Sequence, residues 1–248
     1  MSADYTFSTA VHSAMLDHYR LSIPAVFGLL QDAMTEQLSA LQKDGITIKE
    51  KYGAMWVAVK HRAEFFRRPL WLEDMTVTTR LFALGQVKTV RGYEICHGEE
   101  RLVTASSEMC VLDIAARRIR KLSSVEFPTD AISTEEDKKP TFSEEFPSTS
   151  GVNREEGDEL VFERAVRFGE IDYSRHMNNV AYVRFFCDAF PVKFYDEHFV
   201  RGVEVHYLKE SKEGEVLRVY RRKIPQGYAL FCDKENGETA AKAVFWVK

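Results

Sequence analysis

His18-Tyr19-Arg20-Leu21-Ser22-Ile23-Pro24-Ala25-Val26-Phe27-Gly28-Leu29-Leu30-Gln31-Asp32-Ala33 aligns without a gap on Ser174-Arg175-His176-Met177-Asn178-Asn179-Val180-Ala181-Tyr182-Val183-Arg184-Phe185-Phe186-Cys187-Asp188-Ala189. Leu21 meets Met177, Ala25 meets Ala181, Leu29-Leu30 meet Phe185-Phe186, and Asp32-Ala33 meets Asp188-Ala189. Each run reads as a helix, with Ser22 and Asn178 as N-cap residues. Both are apolar on most faces, the pattern of a helix buried inside a domain. Pro24 falls in the first turn of one, where it is tolerated. Pro191 falls late in the other and is expected to kink or end it.

Working outward, strand-like sequence follows each helix. Met55 to Arg68, Thr76 to Leu84, Val90 to His97 and Leu102 to Asp113 are rich in β-branched and aromatic residues. So are Val203 to Leu208, Val216 to Lys223, Tyr228 to Asp233 and Ala240 to Val247. His97-Gly98, Pro225-Gln226-Gly227 and Asn236-Gly237 mark turns. Strand, helix and antiparallel strands, twice over, predict an α+β architecture in which each sheet curls around one long buried helix. The stretch 129–157 is rich in Ser, Thr, Glu, Pro and Gly and poor in apolar residues, which predicts a linker. The expected domains are therefore 1–128 and 158–248.

The 248 residues are 45% hydrophobic and 29% charged, ordinary for a globular protein able to build a core without disulfides. A net charge of −4 argues against a nucleic-acid binder, which needs a basic excess to neutralise phosphates. Cys96, Cys110, Cys187 and Cys232 form no CxxC pair, so a zinc or redox motif has no support and a reducing compartment is the simplest setting. Met1-Ser2-Ala3-Asp4-Tyr5-Thr6 has neither the basic nor the apolar segment of a signal peptide. No apolar run approaches the roughly 18 residues that span a membrane. The expectation is a cytoplasmic protein.

Chemistry concentrates in Asp172-Tyr173-Ser174-Arg175-His176-Met177-Asn178-Asn179, where an acid, an imidazole and two amides feed a helix N-terminus. Unpaired N–H groups and the helix dipole there can stabilise an oxyanion. A carboxylate can activate water or attack, and an imidazole can orient water or share its proton. Taken singly, Asp172 can close an Asx turn, Asn178 can cap the helix and His176 can be a satisfied half-buried ring. A turn needs none of the others, and the combination favours an active site. The alignment sets Leu16 opposite Asp172, Arg20 opposite His176 and Ile23 opposite Asn179, so the first half lacks the set. A one-residue slip would offer Asp17 and His18 instead.

Glu170-Ile171-Asp172-Tyr173-Ser174-Arg175-His176-Met177-Asn178-Asn179 resembles the D-x-N-x-H-x-N-N signature of acyl-acyl-carrier-protein thioesterases, in which two hot-dog domains lie in tandem. The resemblance extends along nearly the whole chain. It includes Trp56-Val57, His61 to Glu64, Pro69-Leu70-Trp71, Ala105-Ser106-Ser107, Arg117 to Leu122, and Val205 to Ser211. It implies a double hot-dog fold and hydrolysis of fatty-acyl thioesters, with no metal or organic cofactor. Asp172, His176 and Glu210 are the implied catalytic residues, and Asn178 and Asn179 hold the substrate carbonyl. Two positions depart from the plant pattern. Ser174 stands where the signature has Asn and is carried as a catalytic candidate: either it donates one hydrogen bond in that place or Asn178 serves instead. Ser211 stands where the plant enzymes have Cys, which argues against a cysteine nucleophile.

The implied partner is acyl carrier protein bearing a fatty-acyl phosphopantetheine, an acidic protein that Arg117, Arg118, Arg120 and Lys121 can steer. Arg67, Arg68, Arg221, Arg222 and Lys223 form similar clusters. Phe27, Leu29, Leu30 and Met34 can line an acyl tunnel in the N-terminal domain while serving as core. Single-domain acyl-CoA thioesterases share a similar motif, so hydrolysis of acyl-CoA is the alternative, followed by non-catalytic acyl binding. A homodimer is left open, since the tandem pair can itself supply the pairing that single hot-dog domains seek.

Overall fold

The computed structural model describes residues 4–83, 85–133 and 135–248. The end of the predicted strand at Leu84 and the opening Met1-Ser2-Ala3 lie outside the described residues. Two compact units emerge: the chain up to His61 with Phe66–Thr141, and Arg62–Phe65 with Phe142–Lys248.

The first unit contains strand β1 (Asp4–Ala10), the two-residue strands β2 (Leu16–Asp17) and β3 (Arg20–Leu21), helices α1 (Ile23–Ala40) and α2 (Gly45–Tyr52), and strands β4 (Ala54–Phe65), β5 (Asp74–Ala83), β6 (Lys88–His97), β7 (Glu100–Asp113) and β8 (Ile119–Arg120). The last four residues of β4 group with the second unit. Its sheet runs β1-β5-β6-β7-β4. Ser22 caps α1, its Oγ accepting from the Ala25 N–H at 3.2 Å, and Pro24 sits in the first turn. Ile23, Val26, Phe27, Leu30, Ala33 and Gln37 recur at helical spacing and are all buried, so α1 is the central helix. Asp44 caps α2 by accepting from Ile46 and Thr47 N–H groups.

The second unit contains β9 (Glu159–Ala165), α3 (Asn179–Asp188), α4 (Val192–Glu197), β10 (Val200–Tyr207), β11 (Val216–Ile224), β12 (Gly227–Lys234) and β13 (Thr239–Val247). Its sheet runs β9-β11-β12-β13-β10, the same order as β1-β5-β6-β7-β4. Helix α3 starts one residue after Asn178, as α1 starts one residue after Ser22, at the positions the alignment sets opposite each other. The second helix is shorter, 10 residues against 18. Pro191 has no N–H to continue it and restricts Phe190, and it becomes the N-cap of α4 instead. At the β11–β12 turn Gly227 has φ +145°, and a Cβ there would strike the Phe245 carbonyl, so only glycine fits.

The later part of the polar stretch, residues 142–157, belongs to the second unit and packs within it. Phe146 is 4% exposed and stacks on Trp246 with ring centroids 5.4 Å apart. It lies flat against Gly202, where a Cβ would come within 2.6 Å of its Cζ. Glu204, 1% exposed, accepts from Ser148 Oγ, Thr149 N and Thr149 Oγ1 at 2.7 to 3.0 Å. Arg62 pairs with it at 3.6 Å and covers the Phe146 ring at 4.1 Å. One aromatic anchor and one buried carboxylate hold this part of the segment, contacts that composition does not register.

His61 lies in β4 beside Phe27 of α1, ring centroids 6.0 Å apart. Burial pushes its imidazole down from the usual 6.5 to about 4. Between those values the unfolded chain takes up a proton that the folded chain refuses. Stability therefore falls as pH drops from about 6.5 to 4, by at most roughly 3 kcal/mol at 1.36 kcal/mol per unit. Urea unfolding at pH 7 and pH 4 should show a smaller acid loss in His61→Gln than in the wild type; equal losses would contradict the assignment.

Candidate active site

Between β9 and α3 the chain makes a tight hairpin-like turn. Asp172 N–H donates to the His176 carbonyl at 2.9 Å and Arg175 N–H to the Asp172 carbonyl at 3.0 Å, while Ile171 and Met177 bridge as antiparallel partners. Arg175 adopts φ +65° to close it. Three further bonds anchor the turn. Asn178 N–H donates to the Glu170 carbonyl at 2.8 Å and Met177 N–H to the Ser211 carbonyl at 2.8 Å. Glu170 itself accepts from Arg167 N–H at 2.8 Å. The Met177–Ser211 bond pins this turn to the segment leaving β10, and Glu210 comes with it.

Four side chains then stand in a line. Asp172 Oδ1 accepts from both the N–H and the hydroxyl of Ser174, at 2.8 and 2.6 Å. Ser174 Oγ lies 3.2 Å from His176 Nδ1. His176 Nε2 lies 3.2 Å from Glu210 Oε2. The His176 and Glu210 side chains are 18% and 27% exposed, enough for a substrate to reach them. Thus Asp172, Ser174, His176 and Glu210, named separately from sequence, meet.

Their hydrogen-bonding capacities fix where the protons are. Asp172 Oδ1 accepts from the Ser174 hydroxyl, which has one hydrogen. That hydrogen goes to Asp172, so Ser174 Oγ can only accept from His176, and Nδ1 carries a hydrogen.

The two amides have different surroundings. Asn178 Oδ1 accepts from the Val180 N–H at 2.8 Å, the N-cap bond of α3, and the Asn178 carbonyl takes the Ala181 N–H at 2.9 Å. The helix start thereby spends donors that the sequence left available for an oxyanion. The Asn179 side-chain amide is half-buried and makes no hydrogen bond to a described residue. Tyr207 Oη donates to the Asn179 carbonyl at 3.3 Å and Tyr182 Oη to the Lys209 carbonyl at 3.4 Å. Burial pushes both phenols well above their ordinary range, so they stay protonated donors. Ser211 is fully buried and its hydroxyl sits beside Tyr182. These tyrosines, in a helix and a strand, carried no signal beyond ordinary core pattern.

The remaining candidates lie elsewhere. Arg117, Arg118 and Lys121 are exposed around the β7–β8 turn of the first unit. Arg120 turns inward, donating to the Tyr52 carbonyl at 2.7 Å and to Ser124 Oγ at 3.1 Å. Asp17, offered by the slipped alignment, is tied to Arg68 at 2.6 Å. A cleft of about 520 Å³ in the second unit, lined by Phe190, Phe194, Tyr228 and Arg221 among others, includes none of the four aligned side chains. Among the described residues no three His, Cys, Asp or Glu side chains are arranged to hold a metal ion.

Two sheets of one strand order, each carrying a central helix, with one acid–hydroxyl–imidazole–acid line, make this a double hot-dog protein with its polar line in the second domain. Family comparison agrees with the geometry. The acyl-ACP thioesterase N-terminal domain model matches residues 3–126 and the C-terminal domain model residues 154–244. The chain belongs to the acyl-ACP thioesterase family. It is 25% identical over 169 residues to the chloroplastic acyl-[acyl-carrier-protein] hydrolase FATB3 of Cuphea viscosissima, covering 67% of this chain and 40% of that protein. With the chloroplastic oleoyl-acyl carrier protein thioesterase 2 of Arabidopsis thaliana it shares 19% over 206 residues, covering 79% and 56%. The chain thus spans about half the length of the curated relatives it matches. In fold it is similar to the 12:0-ACP thioesterase from Umbellularia californica, with TM-score 0.84, 18% identity and coverage of 99% and 97%. An acyl-ACP thioesterase from Bacteroides thetaiotaomicron gives TM-score 0.82, 17% identity and coverage of 99% and 98%.

The two amides can be told apart by stability. Asn178→Ala should cost about 1 kcal/mol through the lost cap, whereas Asn179→Ala should stay within about 0.5 kcal/mol of wild type. Denaturant unfolding of both variants measures the difference.

Proposed function

We propose that the chain hydrolyses the thioester of a fatty acyl group on acyl carrier protein, releasing free fatty acid and the phosphopantetheine thiol. The observation that carries this reading is the line Asp172–Ser174–His176–Glu210, ending in a carboxylate oxygen 3.2 Å from an imidazole nitrogen. Membership of the family supports the substrate, and the exposed Arg117, Arg118 and Lys121 suit an acidic protein partner.

In this mechanism Asp172 and Ser174 are positioning residues. They hold the ring with Nδ1–H toward Ser174 and Nε2 toward Glu210. Water attacks the thioester carbonyl as its proton passes to the Glu210 carboxylate. The Asn179 amide steadies the carbonyl oxygen as it becomes an oxyanion. When the tetrahedral intermediate collapses, the C–S bond breaks and the proton on His176 Nε2 passes to sulfur. The pair takes one proton from water and returns one to the thiol, so it ends as it began. A cytoplasmic setting fits the four cysteines, which are free thiols.

Thiol release from acyl-carrier protein tests the reading. His176→Ala and Glu210→Gln should each lower kcat by about 10²-fold or more. Ser174→Ala should lower it less and shift the pH profile, and Ser174→Asn should restore part of both. Full activity in His176→Ala would overturn the mechanism. Turnover of acyl-CoA as efficient as that of acyl-carrier protein at every ionic strength would overturn the substrate assignment.

A further inference from the structure

The two sheets have one strand order, but the faces they turn to their helices differ. In the second unit Leu217, Val219, Leu230, Cys232, Ala241 and Ala243 share a face through the registers of β11, β12 and β13, and all are fully buried. In the first unit Leu81 pairs with Arg91 and Arg91 with Ser107, while Thr79 pairs with Tyr93. That face is buried too, but four polar side chains interrupt its apolar residues. Arg91 is 2% exposed, Thr79 0%, Tyr93 2% and Ser107 1%. The helix answers with Gln37, 4% exposed, whose Oε1 accepts from Arg91 Nη1.

Arg91 is the anomaly in this belt. Other sheltered guanidinium groups here face carboxylates: Arg68 meets Asp17 at 2.6 Å, Arg201 meets Glu64 at 3.1 Å and Arg222 meets Asp158 at 2.9 Å. Arg91, which is more deeply buried, meets neutral oxygens among the described residues, Gln37 Oε1 and, at 3.4 Å, Thr79 Oγ1. Its Nε and Nη2 groups make no hydrogen bond to a described residue. A buried cation without a counter-charge costs several kcal/mol, and the second unit packs the equivalent layer without one. Packing alone gives no reason to keep it. Around it Leu81, Ile95, Val103 and Met109 on the sheet and Phe27 and Leu30 on α1 are all buried and apolar, which suits methylene groups.

We propose that Arg91 is a recognition residue. The interior of the first unit takes an acyl group that bears an oxygen function away from its thioester, and that hydroxyl, keto or carboxyl oxygen accepts from Arg91 Nε and Nη2. This specificity rests on the thioesterase reading and adds a substrate class to it. Hydrocarbon packs along α1 while the oxygen supplies the acceptor that the guanidinium lacks. A saturated chain of the same length leaves that cation unanswered, and a site built to hydrogen-bond an oxygen discriminates strongly against its absence.

The test compares acyl-carrier protein loaded with saturated acyl groups and with acyl groups hydroxylated or carboxylated at the far end, over a series of chain lengths. Wild type should favour an oxygenated chain in kcat/KM by about tenfold or more at its best length. Arg91→Met should abolish or reverse that ratio, and Arg91→Lys should keep part of it. An equal rate on both classes by wild type, or an unchanged ratio in a folded Arg91→Met protein, overturns the proposal. If Arg91→Met does not fold, the wild-type ratio decides alone. If wild type hydrolyses none of these thioesters, the thioesterase reading has failed. The Arg91 site is then read by melting temperature with methyl esters of hydroxylated and plain fatty acids: a rise with the hydroxylated ester that Arg91→Lys weakens supports it, and equal melting overturns it.

Discussion

The 3.2 Å contact between His176 Nε2 and Glu210 Oε2 is the constraint on which the proposed chemistry depends. It joins a turn before α3 to the segment after β10, and neither side can supply it alone. The backbone holds the two segments: Met177 N–H reaches the Ser211 carbonyl, one residue along from each member of the pair. On the strand side, Leu208 and Lys209 N–H groups both donate to the Ala240 carbonyl, at 2.8 and 3.0 Å, fixing how the chain leaves the sheet. A main-chain clamp beside a side-chain pair is rigid, and rigidity is what positions a proton for transfer.

Ser174 sets the electronic character of that pair. An asparagine side chain brings both an N–H donor and a carbonyl acceptor, so it can face an acid and an imidazole with separate atoms. A serine must use one oxygen for both, and its single hydrogen is claimed by Asp172 at 2.6 Å. The ring therefore has to donate from Nδ1. The substitution preserves the line and fixes the tautomer of His176.

Much of the scaffold was legible in the sequence. The caps Ser22 and Asn178 begin both central helices, and β6, β7, β11, β12 and β13 fall within one or two residues of the predicted runs. Asp172 and His176 were close enough in sequence for local pattern to propose them, and Ser174 followed from the family signature laid over the same run. Glu210 came only through resemblance, because nothing local links it to a turn so far upstream. The packed course of 142–157 was hidden, since Phe146 and Glu204 act through distant partners. Arg91 was hidden differently. The run Val90–His97 reads correctly as a strand, but alternation says only that one face is inward, and a lone arginine gives no hint that it lies there. The short α3 was half-legible, with Pro191 signalling the stop but not that a second helix starts from it.

The two units thus use one scaffold for different ends. The second keeps an apolar layer beneath α3 and gathers its polarity at the helix start. The first has its polarity between sheet and helix, at Gln37 and Arg91. The most direct measurement of the account is the protonation of the His176 ring by ¹⁵N NMR near neutral pH, with His176→Gln to assign its signals. A hydrogen on Nδ1 in the wild type, lost or redistributed in Ser174→Ala, is the predicted result. A ring protonated on Nε2 alone, with Nδ1 bare, would contradict it.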